Sequence, residues 1–229
     1  MDRRGFVRAC AAGAGLPLGP ALTGPVRARD YAPVKLLAAD GGPLKAASLV
    51  ANRNYLFFYP YQGTPCFLIN MGRPIEPVDV AGESGAYRWP GGAGHRRSLV
   101  AYSAICSHQL TYPTREISFI SFRPGKSGAN RHADVIHCCS EHSQYDPARG
   151  AKVLAGPAPR PLAAILLRHD PATDALTATG TLGNDVFDEF FRKYEVRLMM
   201  DGGGRARQAV ADASRVVELD NYCRQQVRC

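Results

Sequence analysis

The sequence predicts a mainly β protein, and three observations carry that expectation. Its 229 residues include 23 glycines and 17 prolines, a density that divides a chain into short elements and turns rather than long helices. Its apolar residues gather into short runs rich in β-branched and aromatic side chains, bounded by turn residues. With 45% hydrophobic and 21% charged residues, the composition is that of an ordinary globular protein, long enough to bury one sizeable core.

In chain order, the runs "NYLFFYP" (54–60), "CFLINM" (66–71), "SLVAYSAI" (98–105), "EISFISF" (116–122) and "ADVIH" (133–137) read as strands. Residues 72–97, rich in Gly and Pro, read as a long irregular connection between the second and third of these. "LAAILLRH" (162–169) and "ALTATGTL" (175–182), separated by the turn-like "DPATD", form a hairpin with two apolar arms. Residues 185–198 have an apolar spacing that fits a short helix running into a strand, and 205–219 have weak helical potential after a flexible Gly run. The expected organisation is a leader over 1–28, a β domain over 29–184 and an irregular or helical C-terminal extension over 185–229.

The leader is expected because Arg3-Arg4-Gly5-Phe6-Val7 precedes a weakly apolar Ala/Gly/Leu-rich run, with small residues near Ala28 suited to cleavage. This resembles a twin-arginine export signal, which implies a periplasmic or extracytoplasmic location. Interrupted by Arg8, Pro17, Pro20 and Pro25, the run falls short of the roughly 20 apolar residues of a spanning helix. Twin-arginine export moves folded proteins, which favours a cofactor inserted before export. Removing Arg3, Arg4, Arg8 and Arg27 along with Asp2 would lower the formal charge from +8 to +5. The remaining arginines are dispersed rather than clustered, which argues for solubility and an acidic partner, not nucleic acid.

Chemistry concentrates in two short segments: "CSH", with Cys106 and His108, and "CCSEH", with Cys139 and His142. Each follows a predicted strand, and each offers one thiolate and one imidazole. Two metals suit such a set: a structural tetrahedral zinc, or a two-iron centre with both thiolates on one iron and both imidazoles on the other. Zinc sites usually group like ligands in sequence, whereas each segment here mixes them. The other histidines, His95, His132, His137 and His169, have no partner at ligand spacing.

At these residues the sequence resembles the Rieske iron–sulfur proteins. "CSH" matches their first cluster loop, "CSEHSQYD" is similar to the second, and "GPAPRPL" (156–162) to the proline-rich segment that covers the cluster. The resemblance spans roughly 95–182, with the cluster-binding part about 95–162. It implies a Rieske-type antiparallel β-sandwich with a cluster-binding subdomain and a [2Fe-2S] cofactor held by Cys106, His108, Cys139 and His142. Ser143 and Tyr145 are implied as hydroxyl donors to the cluster, and Gly156 and Pro157 as part of its cover.

The departures are equally specific. Respiratory members carry a further cysteine in each loop, and the two form a disulfide; Thr111 and Glu141 stand in their places. The glycine usually following the second histidine is missing. Counting from Cys139 keeps the ligand spacing, and counting from Cys138 keeps the offsets of Ser143 and Tyr145; ligand spacing decides for Cys139. Thirty residues separate His108 from Cys139, so 114–134 is expected as an inserted hairpin with a basic tip from Arg123 to His132. With Cys10 in the leader, Cys66, Cys138, Cys223 and Cys229 remain, and Cys223–Cys229 is the local disulfide expected.

What the resemblance implies is one-electron transfer at a potential of roughly −150 to +300 mV. Rieske oxygenases also need a catalytic iron held by two histidines and a carboxylate, and downstream of the second loop there is only His169. The expectation is therefore an electron-transfer subunit of an oxidoreductase rather than a catalyst by itself. Its expected partners are a cytochrome or a larger oxidoreductase subunit, with quinol as a donor, in a hetero-oligomer at or near a membrane. The competing expectation is a zinc-stabilised β-rich interaction module without redox activity.

Overall fold

The structure is a computed structural model, and it describes residues 28–82, 85–128 and 131–229. Apart from Ala28, the leader expected over 1–28 lies outside the described residues. The chain is mainly β. One large sheet orders its strands as Ala213–Arg215, Arg29–Leu37, Ala175–Leu182, Ala164–Asp170, Leu99–Ser103, Pro65–Asn70, Tyr55–Phe58 and Val217–Glu218. A four-stranded antiparallel sheet is made of Lys152–Ala155, Ser143–Asp146, Val135–Cys138 and Ile120–Arg123, in that spatial order.

The two sheets share a core because both have period-two faces. Leu56, Phe67, Ile69 and Tyr102 of the large sheet lie in one apolar cluster with Ile120, Phe122, Ile136 and Tyr145 of the small one. The opposite face of the large sheet buries Val34, Leu36, Phe57 and Leu68 in a second cluster. Ile120–Arg123 pairs antiparallel with Val135–Cys138, with Phe122 opposite Ile136 and Ile120 opposite Cys138.

Three segments differ from the expectation. The connection 72–97 contains a hairpin, Val78–Gly82 paired with Gly85–Trp89. Val80, Tyr87 and Trp89 are buried while Arg88 is exposed, an alternation masked by the surrounding Gly and Pro. Residues 185–198 form no strand; they supply the helices Phe187–Lys193 and Glu195–Gly202. Asp188 and Glu189 in the first turn and Arg192 and Lys193 in the last suit the first helix's dipole, and Gly203, at φ +58°, ends the second. The weak helical potential after 205 is overridden. Ala213–Arg215 adds to the strand Arg29–Leu37 and Val217–Glu218 to Tyr55–Phe58, because both edges of the large sheet offer unpaired backbone.

The small sheet is tied to the large one by a side chain acting as backbone. Asn54 Nδ2 donates to the Phe122 carbonyl at 3.0 Å, and the Phe122 N–H donates to Asn54 Oδ1 at 2.6 Å. An Asn54→Ala substitution should cost about 1–3 kcal/mol, since it leaves two backbone groups of a buried strand unpaired. The check is denaturant unfolding, in which the midpoint falls and the slope is unchanged.

Candidate metal centre

Cys106 follows the strand Leu99–Ser103, and Cys138 ends the strand Val135–Cys138. Both thiols are free and fully buried, and they hydrogen-bond each other. That contact lowers the first ionisation of the pair below the ordinary thiol value and raises the second, with burial adding to the latter.

The two loops repeat one local shape. Cys106 Sγ accepts the backbone N–H groups of His108 and Gln109, two and three residues on. Cys138 Sγ accepts those of Ser140 and Glu141, at the same offsets. In each loop the fourth residue is left-handed: Leu110 at φ +58° and His142 at φ +57°. Each loop thus curls its amides around a sulfur, a geometry that stabilises thiolate and suits a metal ligand.

Further groups converge on the pair. Tyr145 Oη is 3.2 Å from Cys106 Sγ, 3.2 Å from Ser107 Oγ and accepts the Ser107 N–H at 3.2 Å. Ser107 Oγ donates to the Arg160 carbonyl at 2.6 Å, fastening the proline-rich segment to the first loop. Gly156, at φ +85°, lets that segment pass the second loop; a Cβ there would stand 2.5 Å from the His142 carbonyl oxygen and 2.6 Å from Ser143 Cα. Pro157 follows it on the exposed side. Among the described residues, two buried polar atoms of these loops have no hydrogen-bond partner: His108 Nδ1 and Ser143 Oγ. Ser143 stands opposite Cys138 in the sheet. An imidazole nitrogen and a hydroxyl left without partners beside two thiols fit a bound metal group better than an apolar core, where each would carry a desolvation penalty.

Two expectations about the cysteines are overturned. Cys139 is not beside Cys106; it forms a disulfide with Cys229, and the thiol facing Cys106 is that of Cys138. The reason is strand alternation. Adjacent residues point to opposite faces, so Cys138 faces the core with Ile136 and Tyr145, and Cys139 turns to the other side. The local pair Cys223–Cys229 does not form either, because Cys223 is a buried free thiol whose Sγ is 3.3 Å from the Leu219 carbonyl oxygen.

The disulfide belongs to a strap. Strand Gln225–Gln226 runs parallel to Ile117–Ser118, just after the first loop, and Val227 donates its N–H to the Ser118 carbonyl at 2.8 Å. Arg123 donates to the Val227 carbonyl, and Ser127 Oγ to that of Cys229. One segment therefore braces both loops and also holds Arg123 and Ser127. The first loop has a second support: Ile105 and Leu110 pack with Phe187, Phe190 and Phe191 of the helical segment, and Lys193 Nζ donates to the Gln109 carbonyl at 2.6 Å.

Among the described residues no hydrogen bond joins His142 to either thiol; its ring is exposed and lies 5.8 Å from that of His137, which is buried on the strap side with both ring nitrogens 3.6 Å from Cys229 Sγ. Burial, then the neighbouring His142 and Arg123, push the His137 pKa down to about 4. His137, Cys139 and Cys229 place a nitrogen and two sulfurs within 4.8 Å of one another, but these sulfurs are bonded to each other and are not thiolates. Sequence reasoning missed the strap, because no local pattern joins residues 90 apart.

No protein-family model matches the sequence. Among solved structures, the chain is similar to the soluble domain of the Rieske protein II (soxF) from Sulfolobus acidocaldarius, at 24% identity and a TM-score of 0.47, over 66% of this chain and 78% of that one.

Peptide mapping without reduction should recover Cys139 joined to Cys229, and Cys66, Cys106, Cys138 and Cys223 alkylatable after unfolding. A Cys229→Ser substitution should cost about 2–4 kcal/mol, the range for opening a long disulfide-closed loop, read from the denaturation midpoint.

Proposed function

We propose that this chain is a one-electron carrier of the Rieske kind, with a [2Fe-2S] cluster whose inner iron is held by Cys106 and Cys138 and whose outer iron is held in part by His108. The observation that carries the reading is the pair of free, buried, mutually hydrogen-bonded thiols at the heads of two like-shaped loops, with the unpartnered Nδ1 of His108 alongside. The sequence motifs "CSH", "SQYD" and "GPAPRPL" support it independently.

When bound, such a cluster would supply a reversible one-electron couple, held by Cys106, Cys138 and His108. The chain's own residues set the conditions. Tyr145 Oη, beside Cys106 Sγ, donates to a sulfur that is richer in electron density when reduced, and thereby raises the potential. The amides of His108, Gln109, Ser140 and Glu141 do the same for both thiolates. Arg160's carbonyl and Gly156 hold the proline-rich segment across the loops and limit water.

The rest of the reading rests on sequence. The leader supports a place on the extracytoplasmic side, and the family resemblance supports a cytochrome or larger oxidoreductase subunit as partner, with quinol as a donor. No helix among the described residues is long and apolar enough to cross a membrane.

Two thiolates and an imidazole, joined by a fourth donor, would also suit a structural zinc, and colour separates the two. Purified holoprotein should be red-brown, contain iron and acid-labile sulfide, and give a low-field electron paramagnetic resonance signal on reduction. Cys138→Ser should abolish all three, and Cys139→Ser should preserve them; colourless, zinc-bound protein would defeat the proposal. Tyr145→Phe should keep the cluster and lower its potential by about 40 mV, the one-electron equivalent of a hydrogen bond of about 1 kcal/mol.

A further inference from the structure

We infer that the second loop's donor to the outer metal position is the carboxylate of Glu141, not the imidazole of His142. The inference rests on the reading of Cys106, Cys138 and His108 as holders of a metal group, and it names the donor which that reading leaves open.

The matching loop shapes carry it. His108 sends its N–H to Cys106 Sγ and bears an imidazole with a buried, unpartnered nitrogen. Glu141 sends its N–H to Cys138 Sγ, which places its backbone at the corresponding rim of the thiol pair. Its side chain is exposed and has neither an ion pair nor a hydrogen bond among the described residues. His142 occupies the position of Leu110, the left-handed residue that ends each turn. Leu110 packs in the helix-backed cluster, and the His142 ring packs beside His137.

The sheet shows where His142 goes. Cys138 pairs with Ile120 and Ser143, and His137 with Ser121 and Gln144, so Cys138 and His137 present their side chains to opposite faces. The His142 ring lies with His137, on the face covered by the strap and its disulfide. To reach the thiols it would have to leave that face and the left-handed turn that sends it there. Glu141, one residue closer to Cys138, needs no such change.

The donor set becomes two thiolates, one imidazole and one carboxylate. Compared with a second neutral imidazole, a carboxylate adds a negative charge to the outer metal, which stabilises its oxidised state and lowers the potential. The chain would thus sit at the reducing end of what its two-sulfur, histidine-bearing design permits, and it would have one ring nitrogen rather than two to release a proton on oxidation.

The test uses the full chain, purified without oxygen, with iron and sulfide assayed first and imidazole nitrogens then counted by pulsed electron paramagnetic resonance of the reduced protein. The expected result is one coupled imidazole in the native chain, one in His142→Ala, and two in Glu141→His, with a raised potential in the last. Two coupled imidazoles in the native chain, falling to one in His142→Ala, would overturn the inference while leaving the electron-carrier reading intact. Absence of iron and sulfide would end that reading instead, and cobalt(II) would then serve as the probe. Cobalt d–d bands altered by Glu141→Gln but not by His142→Gln sustain the carboxylate donor, and the reverse pattern refutes it.

Discussion

Two thiols buried in hydrogen-bonding contact are the constraint around which this chain is arranged. Neither Cys106 nor Cys138 has solvent exposure to speak of, and each thiolate would be costly to hold in an apolar core without donors. The loops answer that cost locally, each turning two amides onto its own sulfur. Loops alone are poor at holding such a geometry, since their own packing is slight. The rest of the fold compensates, and it does so differently for each loop.

Behind the first loop stands an aromatic wedge. Tyr112 meets Phe190 and Tyr194 edge-on at 4.8 and 4.9 Å between ring centroids, and Leu110 and Ile105 fill the same cluster. Behind the second loop stands the strap, covalently fixed at Cys139. The segment beyond residue 184 therefore supplies braces for both loops, in addition to edge strands for the large sheet. A direct disulfide between the loops would do similar work at one point. Here the link runs from the second loop through Cys229 and the parallel pairing of Gln225–Gln226 to the strand that follows the first.

Much of this was legible in the sequence, and the failures share a cause. Strands such as Tyr55–Phe58, Pro65–Asn70, Leu99–Ser103 and Ala164–Asp170 were readable because their apolar residues alternate or run between turn residues, and burial rewards that pattern directly, whereas Arg29–Leu37, Ser143–Asp146 and Lys152–Ala155, with more polar residues, were not foreseen. Cys106 and His108 drew attention by their spacing, and the placing of Tyr145 beside Cys106 was implied by the family resemblance alone. Cys138 was misjudged because ligand spacing was set above strand alternation, although "ADVIHC" with Ser143 and Tyr145 already carries a period of two that points Ile136, Cys138, Ser143 and Tyr145 the same way. The Cys139–Cys229 bond and the edge strands at 213–218 were illegible for a different reason. They depend on partners far away in the chain, and neither propensity nor local spacing encodes a partner.

The neighbouring cysteines Cys138 and Cys139 gain their meaning from this same pleat. On a strand, two adjacent side chains cannot serve one face, so a CC pair at a strand end divides its sulfurs between two environments. One enters the dry side, among Cys106, Tyr145 and Ser143; the other meets the strap. Because the sheet's own backbone stands between them, oxidation can close the outer pair without reaching the inner one, and Cys229 cannot exchange onto Cys138 without unpairing the strand. The inner thiols stay available as ligands and the outer ones become a covalent brace, so a single dipeptide separates binding from mechanical support.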